Sequence, residues 1–174
     1  MSIRPSIDEY DAYFERYVRW VPEGDIRNIL AQSLKHTTDV LSILTEDQAN
    51  YQYAPGKWKL KEVLGHITDN ERIMSYRLLR IARGDQTPLA AYDQDTLMSG
   101  ATFDTCPLSD LLEDYTMVRR STLNLLRGLS DEAWSRRGIV SGSESSARAW
   151  AYILAGHELH HMSVIKDKYL ISQG

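Results

Sequence analysis

The sequence predicts an all-α fold, a four-helix bundle, and three observations carry that prediction. Four separate stretches place apolar residues at alternating steps of three and four, the spacing of a helix with one buried face. No segment sustains the alternation of a half-buried strand. A polar stretch over residues 85–106, with no clear periodicity, is long enough at up to about 3.4 Å per residue to run the length of a bundle, which would leave the helices on either side of it parallel.

The elements follow in order. A short aromatic helix over about residues 7–19 carries Tyr10, Tyr13, Phe14 and Tyr17, stops before Pro22 and Gly24, and is expected to pack as a flap on the first long helix. That helix, over about residues 25–44, shows Ile26, Leu30, Leu34, Thr37, Leu41 and Leu44 on its seam, with His36 off it. The turn at Pro55-Gly56 precedes a second long helix over about residues 59–83, closed by Gly84. The third starts at Pro107, carries Leu108, Leu111, Leu112, Tyr115, Val118, Thr122, Leu125 and Leu126, and ends near Gly128. One helical turn at Ser130-Asp131-Glu132-Ala133-Trp134 and a Gly/Ser-rich link, Gly138 to Ser143, lead to a fourth long helix over about residues 145–171. Its seam reads Trp150, Leu154, His157, His161, Val164 and Lys168.

The 174 residues fit one domain spanning 1–174, and 43% hydrophobic with 25% charged residues is ordinary for a globular chain. A formal charge of -4 and the lack of a basic patch interleaved with aromatics argue against nucleic acid as a partner. The single cysteine, Cys106, excludes an internal disulfide and a Cys-x-x-Cys motif, and with no His pair beside it reads as structural. No secretory core stands at the N-terminus and no stretch nears the roughly 20 apolar residues that span a bilayer, so no membrane partner and a cytoplasmic location are expected.

Chemistry concentrates in Gly156-His157-Glu158-Leu159-His160-His161. Two imidazoles one turn apart on a buried seam need partners, either polar groups across the bundle or a shared divalent metal. A third candidate ligand, His66, lies beside the stripe of Leu60, Val63, Leu64, Ile67, Met74, Leu78 and Ile81, and its presence on another helix favours the metal. Three nitrogen ligands leave coordination positions open, which is the mark of a reactive site. The open side is expected to face a pocket walled by the 85–106 crossover and helices two and four. His160, about 60° from His157 around the helix, is the rival for the second position, and the seam favours His161. Asp69 and Glu158 are candidates to orient an imidazole or handle a proton. The same hexapeptide also reads as the His-Glu-x-x-His helix of zinc proteases, but Val164 stands where the extended motif turns on a glycine, so Asp167 would point away.

Three segments, Tyr53-Ala54-Pro55-Gly56-Lys57-Trp58 running on to Gly65-His66, Leu129-Ser130-Asp131-Glu132-Ala133-Trp134, and Ala155-Gly156-His157-Glu158-Leu159-His160-His161, resemble in order and spacing the DinB-like, YfiT-type family of bacterial four-helix-bundle metalloproteins. The resemblance spans nearly the whole chain. It implies an up-down-down-up bundle, a nickel- or zinc-type divalent ion on the histidines matching His66, His157 and His161, and a homodimer. Members include thiol-cofactor S-transferases and a mycothiol-dependent isomerase, so the resemblance implies a small-molecule substrate, a low-molecular-weight thiol as cofactor, and S-transferase chemistry on a small electrophile. Metal-dependent hydrolysis with Asp69 or Glu158 as proton acceptor, and a non-catalytic, stress-responsive metal-binding role, are the alternatives.

Overall fold

The computed structural model describes residues 4–170. In chain order its elements are α1 (Glu15–Val18), α2 (Ile26–Leu41), α3 (Glu46–Ala49), α4 (Leu60–Ala82), α5 (Gln94–Ser99), α6 (Leu108–Arg127), α7 (Asp131–Ser135), β1 (Arg137–Val140), β2 (Ser143–Ser146) and α8 (Ala147–Val164). Helices α2, α4, α6 and α8 form the four-helix bundle that the periodicity predicts. Local chemistry sets their ends. Asp25 accepts the Arg27 amide proton at 2.8 Å and Ser146 that of Ala149 at 3.1 Å, each filling an N-terminal donor of its helix. Gly84, at φ +82°, takes the left-handed conformation that closes α4.

Helix α8 is the centre of the molecule. Every residue from Ala149 to Glu158 is buried, so this stretch packs on all sides and has no solvent face. Helices α4, α2 and α1 all pack on it, and α6 packs on α4 and α2. Tyr169, beyond α8, donates to the Trp58 carbonyl at the start of α4 at 2.7 Å, while Arg136, before α8, donates to the Ala82 carbonyl at the end of α4 at 2.7 Å. Helices α4 and α8 therefore run antiparallel. Glu71 and Arg72 of α4 meet Arg119 and Asp114 of α6, and Tyr76 and Leu79 share a surface cleft with Thr122 and Leu125 further on, so α4 and α6 run the same way.

Four expectations need correction. The Gly/Ser-rich link is not a plain loop: β1 and β2 pair antiparallel, Val140 opposite Ser143, around Ser141 and Gly142, whose φ values of 55° and 85° are those of a tight hairpin turn. The crossover joins this hairpin, because the Leu89 amide donates to the Ile139 carbonyl at 2.9 Å, and the crossover also contains α5 and a 3-10 turn at Phe103–Thr105. The aromatic N-terminal segment is two 3-10 turns and α1, and it packs on α8 instead of the first long helix. Finally, Lys168 is exposed and Tyr169 takes its place in the core, since Ile165–Leu170 is wound as a π-helix and its wider turn advances the seam by one residue.

Gly156 explains where the flap goes. A Cβ at this position would overlap the Tyr17 carbonyl oxygen, so only glycine lets that backbone lie flat on α8. Glu9, 1% exposed, fastens the other end of the segment, accepting from Ser146 Oγ at 2.7 Å and pairing with Arg148. Burial acts to raise its pKa, but the Arg148, Ser146 and Ser6 hydrogen bonds outweigh it and hold the carboxyl at about 2. Gly156→Ala is expected to destabilise the fold by about 1–3 kcal/mol, because backbone and not a flexible side chain must move. Thermal unfolding measures this, and an unchanged midpoint would mean that the flap lifts off freely.

Candidate metal centre

His66 projects from α4 and His157 and His161 from α8, and the antiparallel packing of these helices brings all three together. Their ligand nitrogens lie within 4.8 Å of one another, with His66 Nε2 and His157 Nε2 3.1 Å apart. His66 and His157 are buried, at 2% and 3% exposure, and His161 is half-buried. Aromatic rings wall the cluster, Trp58 at 4.8 Å from the His66 ring and Tyr17 at 5.3 Å from the His157 ring.

Burial keeps these imidazoles neutral. It lowers the His66 pKa to about 4; burial together with the neighbouring imidazoles takes His161 to about 3 and His157 well below its ordinary value. Three unprotonated nitrogens converging on one point, with no carboxylate in the group, form a donor set suited to a zinc- or nickel-class divalent ion, so the residues fit the group the sequence calls for.

The two carboxylates singled out in the sequence lie elsewhere. Glu158 turns into the core, accepting from Ser33 at 2.7 Å, Thr37 at 2.8 Å and the Tyr115 hydroxyl, and pairing with Arg119 at 2.8 Å. Burial on its own would raise its pKa, but Arg119 and the Tyr115 and Ser33 hydroxyls bring it below the ordinary value. Asp69 is partly exposed and pairs with Arg72 at 3.1 Å. His160 is not one of the converging ligands: its ring stands edge-on to those of His161, Tyr17 and Trp20 at 5.1, 5.8 and 6.0 Å. Cys106 donates weakly to the Thr102 carbonyl at 3.6 Å and His36 is exposed, both at a distance from any ligand group among the described residues.

The residue that sequence reading missed is Asn70. Its Nδ2 lies 3.0 Å from His66 Nδ1 and donates to the His66 carbonyl at 3.0 Å, while its Oδ1 accepts from the Tyr92 hydroxyl. The signal was there in part, since residue i+4 on a helix lies over residue i. Tyr92, in the irregular crossover, gave none. A cavity of about 310 Å³ reaches His161 and is lined by Val63 of α4, Val164 and Tyr169 beyond it, Trp58 and Lys57 from the preceding loop, and Asp95 of the crossover.

Fold and site together define a four-helix-bundle protein with a three-histidine centre. A family model of the DinB superfamily matches residues 29–165, and the chain belongs to that superfamily. It is 25% identical over 148 residues, covering 82% of this chain and 84% of the relative, to "Putative metal-dependent hydrolase OB0413" of Oceanobacillus iheyensis. Among solved structures it is similar to YfiT from Bacillus subtilis, described as "a probable metal-dependent hydrolase with an unusual four-helix bundle topology", with a TM-score of 0.65 and 17% identity over 95% of this chain and 93% of that one. It is also similar to a mycothiol-dependent maleylpyruvate isomerase, with a TM-score of 0.67 and 13% identity over 83% of this chain and 61% of that one. No helix among the described residues is long and apolar enough to cross a membrane.

Proposed function

We propose that the protein is a metal-dependent enzyme, that His66, His157 and His161 hold one divalent ion of zinc or nickel type, and that the reaction is S-transfer between a low-molecular-weight thiol and a small electrophile. The observation that carries this reading is the convergence of three neutral imidazoles beside a cavity with no carboxylate in their midst. A divalent ion in such a set lowers the pKa of a bound thiol or water and so supplies a nucleophile at neutral pH. The chain's own residues do the rest. Asn70 fixes the His66 ring, Trp58 and Tyr17 exclude water around the imidazoles, and the cavity at His161 admits the reactants.

Thiol chemistry is preferred because a thiolate, once formed, needs no further base, and both Asp69 and Glu158 are engaged with arginines. Hydrolysis is the second reading. It is favoured by Asp95, which lines the cavity as a carboxylate able to take a proton from water, and by the names of the relatives. The reading extends to a single cytoplasmic domain with the up-down-down-up helix order, acting as a homodimer on a small molecule.

The test is a turnover screen of metal-loaded protein with bacillithiol, mycothiol, glutathione and simple esters. Consumption of an electrophile that requires thiol and metal, and disappears in His157→Ala, is expected. Metal-dependent ester cleavage without thiol would replace the first reading by the second, and no metal-dependent turnover at all would leave a metal-binding protein.

A further inference from the structure

Arg77 lies on α4 about three turns beyond His66 and is 5% exposed. Among the described residues its one hydrogen bond runs from Nη2 to the Ala90 carbonyl at 2.8 Å, and no carboxylate pairs with it. Its guanidinium sits 5.0 Å from the Trp150 ring and 5.1 Å from the Tyr92 ring, cation–π contacts that offset only part of the loss of hydration. The contrast within the same bundle is informative: Arg119, fully buried, has two carboxylates, whereas Arg77, at the wall of a cavity, has none. Burial lowers the Arg77 pKa, as expected of a cation left without a counter-charge.

Arg77 also lines a cavity of about 230 Å³ between the aromatic flap and the crossover, whose mixed wall sets the hydroxyl-bearing Tyr13, Tyr92 and Ser141 and the amide-bearing Gln94 beside the apolar Phe14 and Met74. We propose that this cavity is a carboxylate-binding subsite in which Arg77 supplies the missing counter-charge to a small organic acid. A planar guanidinium with unused donors matches a carboxylate in two-pronged geometry, and contact with the Trp150 and Tyr92 rings limits the orientations it can take. Tyr92 joins the subsite to the histidines, since its hydroxyl donates to Asn70 and Asn70 contacts His66. The reactant of the centre is accordingly an anionic electrophile or an anionic thiol. Binding stands on Arg77 alone, whereas the assignment of that acid as substrate rests on the metal-dependent reading above.

The experiment titrates the full-length protein with succinate and with its neutral counterpart succinamide, following heat of binding and tryptophan fluorescence, which Trp150 reports from beside the guanidinium. Succinate is expected to bind saturably and succinamide not. Arg77→Gln weakens succinate binding about ten-fold or more, and Arg77→Lys, which keeps charge but not the fork, weakens it several-fold. His157→Ala binds succinate as wild type does, which separates the subsite from the metal and makes the outcome independent of turnover. Absence of saturable binding, an equal response to succinamide, unchanged affinity in both Arg77 variants, or loss of binding in His157→Ala would overturn the proposal.

Discussion

Arg119→Met is expected to lower the free energy of unfolding by about 3–5 kcal/mol, because it leaves charge buried without a partner. Arg119 is fully buried and holds Glu71 through two hydrogen bonds from Nε, at 2.8 and 3.0 Å, and one from Nη2 at 2.7 Å. Its Nη2 also pairs with Glu158 at 2.8 Å, and Nη1 donates to Ser33 and to the Leu30 carbonyl at 2.8 and 3.2 Å. Three long helices and α8 are thus tied through one guanidinium, whose own pKa rises well above its ordinary value although burial opposes it. Methionine fills similar volume but strands two carboxylates. Urea denaturation followed by circular dichroism reads the loss. Adding Glu71→Gln and Glu158→Gln to Arg119→Met should restore much of it, since neutral groups of the same shape carry a far smaller desolvation penalty. A loss below about 1 kcal/mol in the single variant would show that the core does not depend on this charge pairing.

This cluster marks where sequence reading stops. Helical periodicity is a local property, so the seams of α2, α4, α6 and α8 and the inward histidines of α8 were legible from spacing alone. The spacing on α6 runs the stripe through Val118, yet the buried residue there is Arg119, because Glu71 and Glu158 offset its desolvation and both are invisible from α6 itself. Sequence adjacency to His157 suggests a place for Glu158 beside the metal, but adjacent helical residues point about 100° apart, and Glu158 turns to Arg119 instead. The hairpin escaped because β2 reads Ser143-Glu144-Ser145-Ser146, with no apolar alternation, and only the Ser141-Gly142 turn hinted at it. The flap's seat on α8 depends on a single absent methyl at Gly156, a contact between residues far apart in the chain.

The metal centre yields the second large effect, and it separates the trio from its neighbour His160. Wild-type protein, loaded with zinc or nickel and desalted, is expected to retain about one ion per chain, and His66→Ala, His157→Ala and His161→Ala less than about a tenth of that, since two nitrogens rarely hold such an ion against solvent. His160→Ala should load as wild type does, because its ring, though 5.1 Å from that of His161, packs edge-on against Tyr17 and Trp20 and brings no nitrogen into the ligand group. Stability should follow occupancy. An ion that binds only the folded chain, present at about a hundred times its Kd, adds about 2.7 kcal/mol, which for a chain of this size raises Tm by roughly 5–10 °C. That shift should appear in wild type and His160→Ala and vanish in the three ligand variants. The imidazoles are already neutral at pH 7, so loading there displaces few protons and should vary little between pH 7 and 8. Loss of the ion in His160→Ala with retention in His161→Ala would move the second α8 ligand by one residue, and retention in all four variants would remove the centre on which the enzymatic reading stands.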